Sequence, residues 1–497
     1  MDIISLLTVV AFLLMAVSMS SRDESPRTML AGIGLLGVCV LSRLFGGGGF
    51  FDILVPLFFD TGLSLLVAAV WLRVRKSQAN PQPFFALGVL SLAAAGLLLA
   101  VSLLLNVMKP SHTVSLLVEL GPDDHIEEIA SILERHNATA ERAFPTVDLA
   151  TDEDLAQVWL VHGDAQATDA LIADLTNDTE NVDHVEVNVS VSVTPIIPST
   201  QTGEDTRQYL ENDPYVGEQW ALEAIRGHEA HALLSELSPV RKARVAILDT
   251  GIEGVHEDLK DVLDASSASS DEHGHGTHCA GIAAAATNNR IGVASLNWNG
   301  EFIELTAYRA LGNDGTGSLE SIAQAIVDAT QADADVISMS LGSVAPVAPR
   351  VLVKAVGFAH RNGAIVAASA GNSNQDASNH FPSNIEGVYA IAAVDQNLQK
   401  ATFSNTVGKL SRPLAAPGVD ILSSYPGSTY KPLSGTSMAT PVTTGLLGVM
   451  RALAPDLSSE DAYSILHETG TVVDHTPQVG RIVNAEAAIV ALLKRSS

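Results

Sequence analysis

Three short segments, far apart in the chain, constrain its fold because each carries a side chain that functions only in contact with the other two. The segments are D-T-G-I at residues 249–252, G-H-G-T-H-C-A-G at 274–281 and S-G-T-S-M-A-T-P at 434–441. In chain order they supply a carboxylate (Asp249), an imidazole (His275) and a hydroxyl (Ser437). A serine hydroxyl is a weak nucleophile unless a base takes its proton, and that base needs a carboxylate to fix its tautomer. The sequence therefore predicts a fold in which these three side chains meet for nucleophilic catalysis.

Each segment taken alone is weak support for catalysis. D-T-G also occurs in ordinary turns, H-G-T-H is compatible with a metal-binding pair, and G-T-S is a common turn. Their joint presence in this order makes coincidence a poor explanation. The prediction of nucleophilic catalysis depends on all three segments together.

The residues around each segment agree with a site in an α/β fold. The apolar run A-R-V-A-I-L-D at 243–249 is typical of a strand buried on both faces of a parallel sheet, and sites gather beyond the carboxyl ends of such strands. Gly274 and Gly276 allow close backbone approach beside His275, ahead of a small-residue helix. Ser437 is predicted at the N-terminus of a buried helix, where backbone N–H groups favour developing negative charge.

Together the segments and their flanks resemble the subtilisin-like serine proteases (the subtilase, peptidase S8 family). The resemblance implies an α/β, three-layer catalytic domain with a mostly parallel sheet over residues 212–497. It implies a serine endopeptidase that cleaves extended polypeptides through an acyl-enzyme. A-I-V-A-A-S-A-G-N at 364–372 matches the family's oxyanion-hole segment, so Asn372 is expected to act beside the backbone N–H of Ser437.

The resemblance also implies two backbone edges that bind substrate and a pocket for the side chain before the cleaved bond. The residues concerned are Gly315, Thr316, Gly317, Ser340, Leu341, Gly342, Ser369, Ala370 and Gly371. Extended segments of this kind pair with a peptide as an added strand. His380 falls near the expected pocket base, and we interpret it as a solvated loop histidine.

A structural Ca²⁺ is the one cofactor that the sequence suggests. T-N-N-R-I-G-V at 287–293 resembles the family's calcium loop, and all-oxygen ligation suits this ion. The implied ligands are Asp213, Asp258 and Asn289 through side chains, and Thr287, Ile291 and Val293 through backbone carbonyls. A surface loop with dispersed acids is the alternative.

Residues 111–194 are predicted to form a separate domain ahead of the protease. The pattern reads strand 114–120, helix 125–136, strands 139–144 and 156–162, helix 168–175 and strand 184–191. This βαββαβ order is ferredoxin-like. In this position it resembles the inhibitory prodomain of subtilases, and a generic ferredoxin-like binding domain is the alternative. Residues 195–211 are expected to be a linker in which self-cleavage occurs.

Residues 1–110 are predicted to form a membrane domain. Four apolar runs, at 3–20, 28–45, 50–72 and 84–108, are each roughly long enough to cross a bilayer. Arginine and lysine follow the first and third runs, so the positive-inside rule places those connections in the cytoplasm. The protease is then extracytoplasmic until processing releases it. A cleaved signal peptide is the alternative for the first run, although Met1 and Asp2 give no positive start.

Charge argues against nucleic acid as a partner. The chain has 28 Lys plus Arg and 56 Asp plus Glu. Residues 1–110 contain 7 of the basic and 5 of the acidic residues, which leaves 21 against 51, a net charge of −30, for the rest. Such a surface repels phosphate backbones. The expected partners are polypeptide substrates, the chain's own prodomain and the lipid bilayer.

The two cysteines, Cys39 in an apolar run and Cys279 beside His275, are not expected to pair. Cys279 resembles the buried free thiol of the proteinase K-like and convertase branches of the family. An alternative function also remains at this point. The chain would then be a membrane-tethered binding or sensor protein whose protease fold is inhibited or inactive.

Overall fold

The structure, a computed structural model, describes residues 113–193, 197–198 and 209–495, with the backbone alone at 197–198. The described residues fall in one compact unit, Thr113–Ser497. No helix among them is long and apolar enough to span a membrane. The four predicted spans lie outside the described residues.

The first domain is a four-stranded antiparallel sheet with two helices on one face. Its elements are β1 Thr113–Leu120, α1 Ala130–Arg135, β2 Thr139–Arg142, α2 Glu153–Ala156, β3 Val158–Asp164, α3 Thr168–Asn177 and β4 Val182–Val187. The strand order is β2-β3-β1-β4. Apart from the short α2, this is the predicted βαββαβ order. Alternate residues of β1, such as Leu116 and Val118, pack under α1 and α3, while Leu117 faces the second domain.

The prediction of a single strand at 184–191 is wrong, because the structure divides this segment between two strands. β4 ends at Val187, and a new strand, β5 Ser190–Val193, pairs with the second domain. Between them, Val189 O accepts a hydrogen bond from Leu319 N at 3.1 Å, and Asn188 Oδ1 accepts one from Glu320 N at 3.1 Å. These contacts turn the chain out of its own sheet, which strand periodicity alone does not reveal.

The second domain contains a seven-stranded parallel sheet, in which the strands lie in the order Arg481–Ile482, Arg412–Pro417, Tyr389–Val394, Ile365–Ser369, Val336–Met339, Ala243–Asp249 and Ile303–Arg309. The strands are β6 Ile197–Pro198, β7 Ala243–Asp249, β8 Ile303–Arg309, β9 Thr316–Ser318, β10 Val336–Met339, β11 Leu341–Val344, β12 Ile365–Ser369, β13 His380–Phe381, β14 Tyr389–Val394, β15 Arg412–Pro417, β16 Ile421–Tyr425, β17 Thr429–Ser434 and β18 Arg481–Ile482. The helices are α4 Trp220–Ala224, α5 Gly227–Leu234, α6 His275–Ala284, α7 Leu319–Gln331, α8 Arg350–Arg361, α9 Thr436–Leu453, α10 Ser459–Thr469, α11 Thr476–Val479 and α12 Ala485–Arg495.

Helices cover both faces of this sheet, which gives the predicted three layers. In β7, Val245 and Ile247 join the core under α6 and α9, whereas Ala246 and Leu248 join the core under α7 and α8. Strand side chains alternate between faces, so a strand buried on both sides must be apolar throughout. Residues 245–248 of the run at 243–249 have this property, and the run forms β7 as predicted.

The topology places the carboxyl ends of three neighbouring strands at one edge of the sheet. β7 ends at Asp249, β10 leads to Ser340, and β12 leads to Asn372. Since β12, β10 and β7 are adjacent, these residues converge although they are far apart in sequence. This edge is where an open α/β sheet binds its ligands.

Candidate active site

Asp249, the last residue of β7, holds the imidazole of His275. Its Oδ1 lies 2.7 Å from His275 Nδ1 and also accepts from Thr250 N at 2.8 Å. A carboxylate can only accept, so Nδ1 carries the ring proton and Nε2 of the neutral ring keeps its lone pair. That Nε2 is buried and has no hydrogen-bond partner among the described residues. Burial alone would lower the pKa of His275, but the charge of Asp249 raises it well above the usual value.

The close approach of α6 to the end of β7 depends on glycine. His275 is the first residue of α6, and Gly274 precedes it with φ 86°. A Cβ at Gly276 would collide with the carbonyl oxygen of Gly251, so only glycine lets the helix pack this close. The predicted role of the flanking glycines is confirmed.

Sequence reasoning missed Asp271, which fixes the first turn of α6. Its carboxylate is buried and accepts from Gly274 N and Thr277 N, each at 2.8 Å. It also accepts from Thr250 Oγ1 at 2.8 Å, so it ties the end of β7 to the helix that carries His275. An acid shortly before a predicted helix is a capping signal that would have identified it.

Ser437 is the second residue of α9. Its Oγ donates to Ser340 O at 3.2 Å. Pro441 lies four residues further on and has no N–H, so the helix cannot satisfy Ser437 O in the usual way. Ser340 Oγ donates to that carbonyl instead, at 2.8 Å. Ser340, predicted as a substrate-edge residue, therefore also positions the backbone of Ser437.

Asn372 is oriented by Thr436, another residue that the sequence analysis did not identify. Asn372 Oδ1 accepts from Thr436 N and from Thr436 Oγ1, both at 2.9 Å. A backbone N–H can only donate, which fixes the oxygen end of the amide on Thr436. The Nδ2 end therefore lies on the side of the amide opposite Thr436.

Cys279 is the buried free thiol that the sequence predicted. It lies on the Nδ1 side of His275, with Sγ 3.9 Å from that atom. Nδ1 already faces Asp249, so it cannot take the thiol proton. Burial raises the pKa of the Cys279 thiol. Both facts exclude Cys279 as a nucleophile in this arrangement.

The two predicted substrate edges are occupied by the chain itself. β5 lies antiparallel between β9 and β11, with Val191 opposite Gly317 and Ser192 opposite both Thr316 and Gly342. Val193 pairs with Leu341 and donates from its N–H to Gly315 O at 2.9 Å. Residues 190–193 thus bind as an added strand that ends close to Ser437.

Residues 369–371 and His380 lie close together beside β11. Ser369 Oγ donates to Leu341 O at 3.4 Å, Asn405 Nδ2 donates to Ala370 O at 2.8 Å, and Gly371 N donates to Thr436 Oγ1 at 3.1 Å. The interpretation of His380 as a solvated loop residue is wrong. It is 6% exposed and its ring sits against Gly342 and Gly371. Burial lowers the pKa of His380 to about 4.

The predicted calcium-loop side chains also come together. Asp213 accepts from Asn288 N at 2.8 Å and from Asn289 N at 3.2 Å. Asp258 accepts from Val293 N at 2.8 Å and from Asn289 Nδ2 at 3.2 Å. The two acids are only 3% and 2% exposed, and burial raises the pKa of Asp258 to about 7. They are not the dispersed surface acids of the alternative interpretation.

Within the loop, Ile291 and Thr287 also make hydrogen bonds through groups other than their predicted carbonyl ligands. Ile291 N donates to Asn289 Oδ1 at 2.7 Å, and Thr287 Oγ1 donates to Ser295 O at 2.7 Å. Asp213 and Asp258 pack against the loop from outside it, and each accepts two hydrogen bonds. Their carboxylate oxygens and Asn289 Oδ1 are oxygen ligands of the kind that a hard cation takes, so the residues present fit this ion.

Known proteins resemble this chain mainly over the second domain. Residues 241–483 match the Subtilase family (peptidase S8). Thermitase of Thermoactinomyces vulgaris is 40% identical over 250 residues, covering 49% of this chain and 85% of thermitase. The thermostable alkaline protease of Halalkalibacterium halodurans is 32% identical over 367 residues, covering 72% of this chain and 91% of that protease. A solved protease structure from Pseudoalteromonas arctica is 29% identical and covers 57% of this chain and 99% of its own, with a TM-score of 0.50.

A parallel α/β sheet with an extended strand bound beside a serine at a helix N-terminus defines the class of the protein, a serine endopeptidase. The extent and identity of the matched relatives define its family. The chain belongs to the subtilase family and is a subtilisin-like serine endopeptidase that acts on polypeptides.

Proposed function

We propose that the chain is a membrane-anchored, self-processed endopeptidase in which Asp249, His275 and Ser437 form the catalytic triad. The observation that carries this proposal is the 2.7 Å contact between Asp249 and His275 Nδ1, which leaves the buried Nε2 as a base. Ser437 Oγ attacks the substrate carbonyl, and His275 Nε2 takes its proton. The same proton then passes to the leaving amine, which leaves an acyl-enzyme that water hydrolyses with His275 again as base.

Asn372 and the start of α9 are proposed to stabilise the oxyanion. The amide of Asn372 has its oxygen on Thr436, so Nδ2 is the donor. The backbone N–H of Ser437 belongs to the first turn of α9, whose N–H groups have no partner within the helix. Both donors bind charge that develops only in the transition state.

Labelling with a fluorophosphonate probe tests this proposal against the inactive-fold alternative. Such a probe reacts only with an activated serine. We expect the purified full chain to be labelled, with the label on the peptide that contains Ser437. An unlabelled chain that still binds peptides would favour the binding or sensor function.

Residues 113–193 are proposed to be an inhibitory prodomain. They supply caps for two helix N-termini of the catalytic domain: Glu186 accepts from Arg350 N and Val351 N at 3.0 and 2.8 Å, and Asn188 accepts from Glu320 N. Negative charge at a helix N-terminus is stabilising. β5 fills the edges that a substrate needs, with Val191 only 1% exposed. A substrate therefore has to displace it.

We propose that self-processing occurs between Val193 and Ile197. Val193 pairs with Leu341 on one side of Ser437, and Ile197 pairs with Ser434 on the other side. Leu341 follows Ser340, whose carbonyl accepts from Ser437 Oγ, and Ser434 lies three residues before Ser437, so both described ends of the chain pair beside the proposed nucleophile. The alignment with the halodurans protease covers 72% of this chain, more than residues 212–497 supply, so the likeness reaches into the preceding domain. Cleavage here would separate the catalytic domain from residues 1–110.

A structural Ca²⁺ is proposed at the loop 287–293, held by Asp213, Asp258 and Asn289 with carbonyls of Thr287, Ile291 and Val293. When bound, it supplies charge compensation for the two buried acids. It takes no part in the proposed chemistry.

Removing calcium is expected to lower the melting temperature of the full chain by several degrees, because a ligand at 100 times its Kd stabilises the native state by about 2.7 kcal/mol. The measurement is thermal melting in a Ser437→Ala background, with chelator and after calcium is returned. Asp258→Asn should melt lower and no longer respond to calcium. Asp261→Asn, an exposed acid three residues away, should respond like the parent. A calcium response that Asp258→Asn leaves intact would contradict this site.

The catalytic domain is proposed to lie on the extracytoplasmic side of a membrane. Reporter fusions after Gly48 and His112 should report the exterior, and a fusion after Gln78 should report the cytoplasm, because the positive charges flank only the first and third connections. A cytoplasmic signal after His112 would overturn this orientation.

A further inference from the structure

Glu211, His228 and His231 form a buried cluster that the proposed catalysis and calcium loop do not use. Glu211 lies just before the start of the catalytic domain, and the two histidines are three residues apart on one face of α5. One ligand atom from each lies within 4.8 Å of the other two. The side chains of Glu211 and His231 are 0% exposed, and that of His228 is 16% exposed.

Hydrogen bonding fixes which ring atom of His231 faces the carboxylate. His231 Nε2 lies 2.6 Å from Ser295 O, a carbonyl that can only accept, so Nε2 carries the proton. In the neutral ring, Nδ1 then presents its lone pair to Glu211 Oε1, with which it makes a close contact. Two acceptors in contact require a cation between them. An outer N–H donated to a backbone carbonyl is also the usual way in which a metal-binding histidine is oriented.

The remaining atoms of the cluster point to a metal ion rather than to a shared proton. His228 Nδ1 lies 2.9 Å from the same Glu211 Oε1, so two imidazoles converge on one oxygen. The second oxygen, Glu211 Oε2, is buried and has no hydrogen-bond partner among the described residues. A proton shared on Oε1 leaves this oxygen unsatisfied, whereas a metal ion can be bound by both oxygens.

Aromatic rings hold both imidazoles in place. Tyr209 stacks on His228 with ring centroids 4.5 Å apart, and Trp298 packs against His231 at 5.5 Å. The two rings are therefore held beside Glu211 before any ion binds. Tetrahedral zinc, with bonds of about 2.0–2.1 Å, would hold the ligand atoms about 3.3 Å apart. The His228–Glu211 pair would open by a few tenths of an ångström, and the closer His231–Glu211 pair would open by more.

We propose that Glu211, His228 and His231 bind a zinc-class divalent cation. Two imidazole nitrogens and a carboxylate suit Zn²⁺, whereas Ca²⁺ takes oxygen ligands alone. The partly exposed edge of His228 provides an entry path and room for a water as the fourth ligand. The site lies apart from the catalytic centre, so its role is structural.

The bound ion would fasten the first residues of the catalytic domain to α5. Asp213, two residues after Glu211, belongs to the calcium loop, and Ser295 O, which accepts from His231, also accepts from Thr287 Oγ1 of that loop. Once the chain is cut between Val193 and Ile197, residues 209–213 belong to the N-terminal segment of the mature chain. The zinc site keeps this segment, and Asp213 with it, in position.

Zinc retention by the full chain in a Ser437→Ala background tests the site. The protein is stripped with chelator, given ZnCl₂ with excess CaCl₂, desalted and measured for zinc by atomic spectrometry. The parent and the control His467→Ala, an exposed histidine on α10, should each retain one zinc. Glu211→Gln, His228→Ala and His231→Ala should bind zinc more than about 100-fold more weakly, since loss of even an outer-shell hydrogen bond costs 10- to 100-fold.

Cobalt gives a readout that is independent of retention. Co²⁺ added to the parent should produce visible absorption bands of a four-coordinate ion, and these should be absent from His228→Ala. His228 is partly exposed, so this variant should fold even if His231→Ala does not. Equal zinc retention by the parent and His228→Ala, displacement of zinc by calcium, or no retained zinc in the parent would each overturn the proposal.

Discussion

Replacing Ser437 with alanine is expected to lower kcat for peptide hydrolysis by about 10⁶-fold, the size of the effect known for subtilisin. The reason is that the proposed reaction needs a nucleophile on the Nε2 side of His275, and the Cys279 thiol lies on the Nδ1 side of the ring. The chain should stay folded, because the bond from Ser340 Oγ goes to the backbone carbonyl of Ser437 and does not need the side chain. Peptide hydrolysis and fluorophosphonate labelling measure the effect.

Ser266→Ala is the matched control, since Ser266 is exposed and bonds only to Asp264 in its own turn. This control should keep parent activity and labelling. Equal labelling of the parent and Ser437→Ala would refute the assignment of the nucleophile.

The same variant tests self-processing. Wild type should yield a mature chain whose N-terminus falls between residues 194 and 197, and full-length protein should accumulate in the membrane fraction only for Ser437→Ala. An intact, active, full-length wild type in the membrane would instead favour a permanently anchored protease.

The sequence predicts the local structure around Asp249 and Ser437 because each lies in a segment whose conformation is determined by its near neighbours. The apolar run at 243–249 forms β7 and places Asp249 at its end, and the glycine-rich turn before Ser437 opens into α9. The spacing of apolar residues in each segment likewise predicts the order of strands and helices in the first domain. Such features are determined by residues that are close to one another in the sequence.

Other features of the site depend on contacts between distant residues, and the sequence did not predict them. β5 leaves its own sheet because Val189 and Asn188 bond to the start of α7. His380 is buried because Gly342 of β11 and Gly371, which follows β12, leave space for its ring. The sequence analysis did not identify Glu211, His228 and His231, because nothing in the sequence joins Glu211 to the two histidines.

Replacing Asn372 with alanine is expected to lower kcat by about 10²- to 10³-fold with little change in KM, as known for the oxyanion-hole asparagine of subtilisin. The donor acts on charge that appears only after Ser437 attacks, so its loss raises the barrier more than it weakens substrate binding. Steady-state kinetics with a chromogenic peptide amide separate the two constants. Asn397→Ala, at an exposed turn, should leave both unchanged.

The variant Asn372→Asp removes the Nδ2 donor but keeps the size of the side chain, so it tests the donor apart from the packing. The carboxylate has nearly the same shape, and one oxygen can still accept from Thr436 N and Oγ1, so the local structure should persist. Only the Nδ2 donor is lost, and the new negative charge would repel the oxyanion. We therefore expect Asn372→Asp to reduce kcat at least as much as Asn372→Ala. A variant that kept parent kcat, or that changed only KM, would show that Nδ2 does not bind the oxyanion and would leave the backbone N–H of Ser437 as its donor.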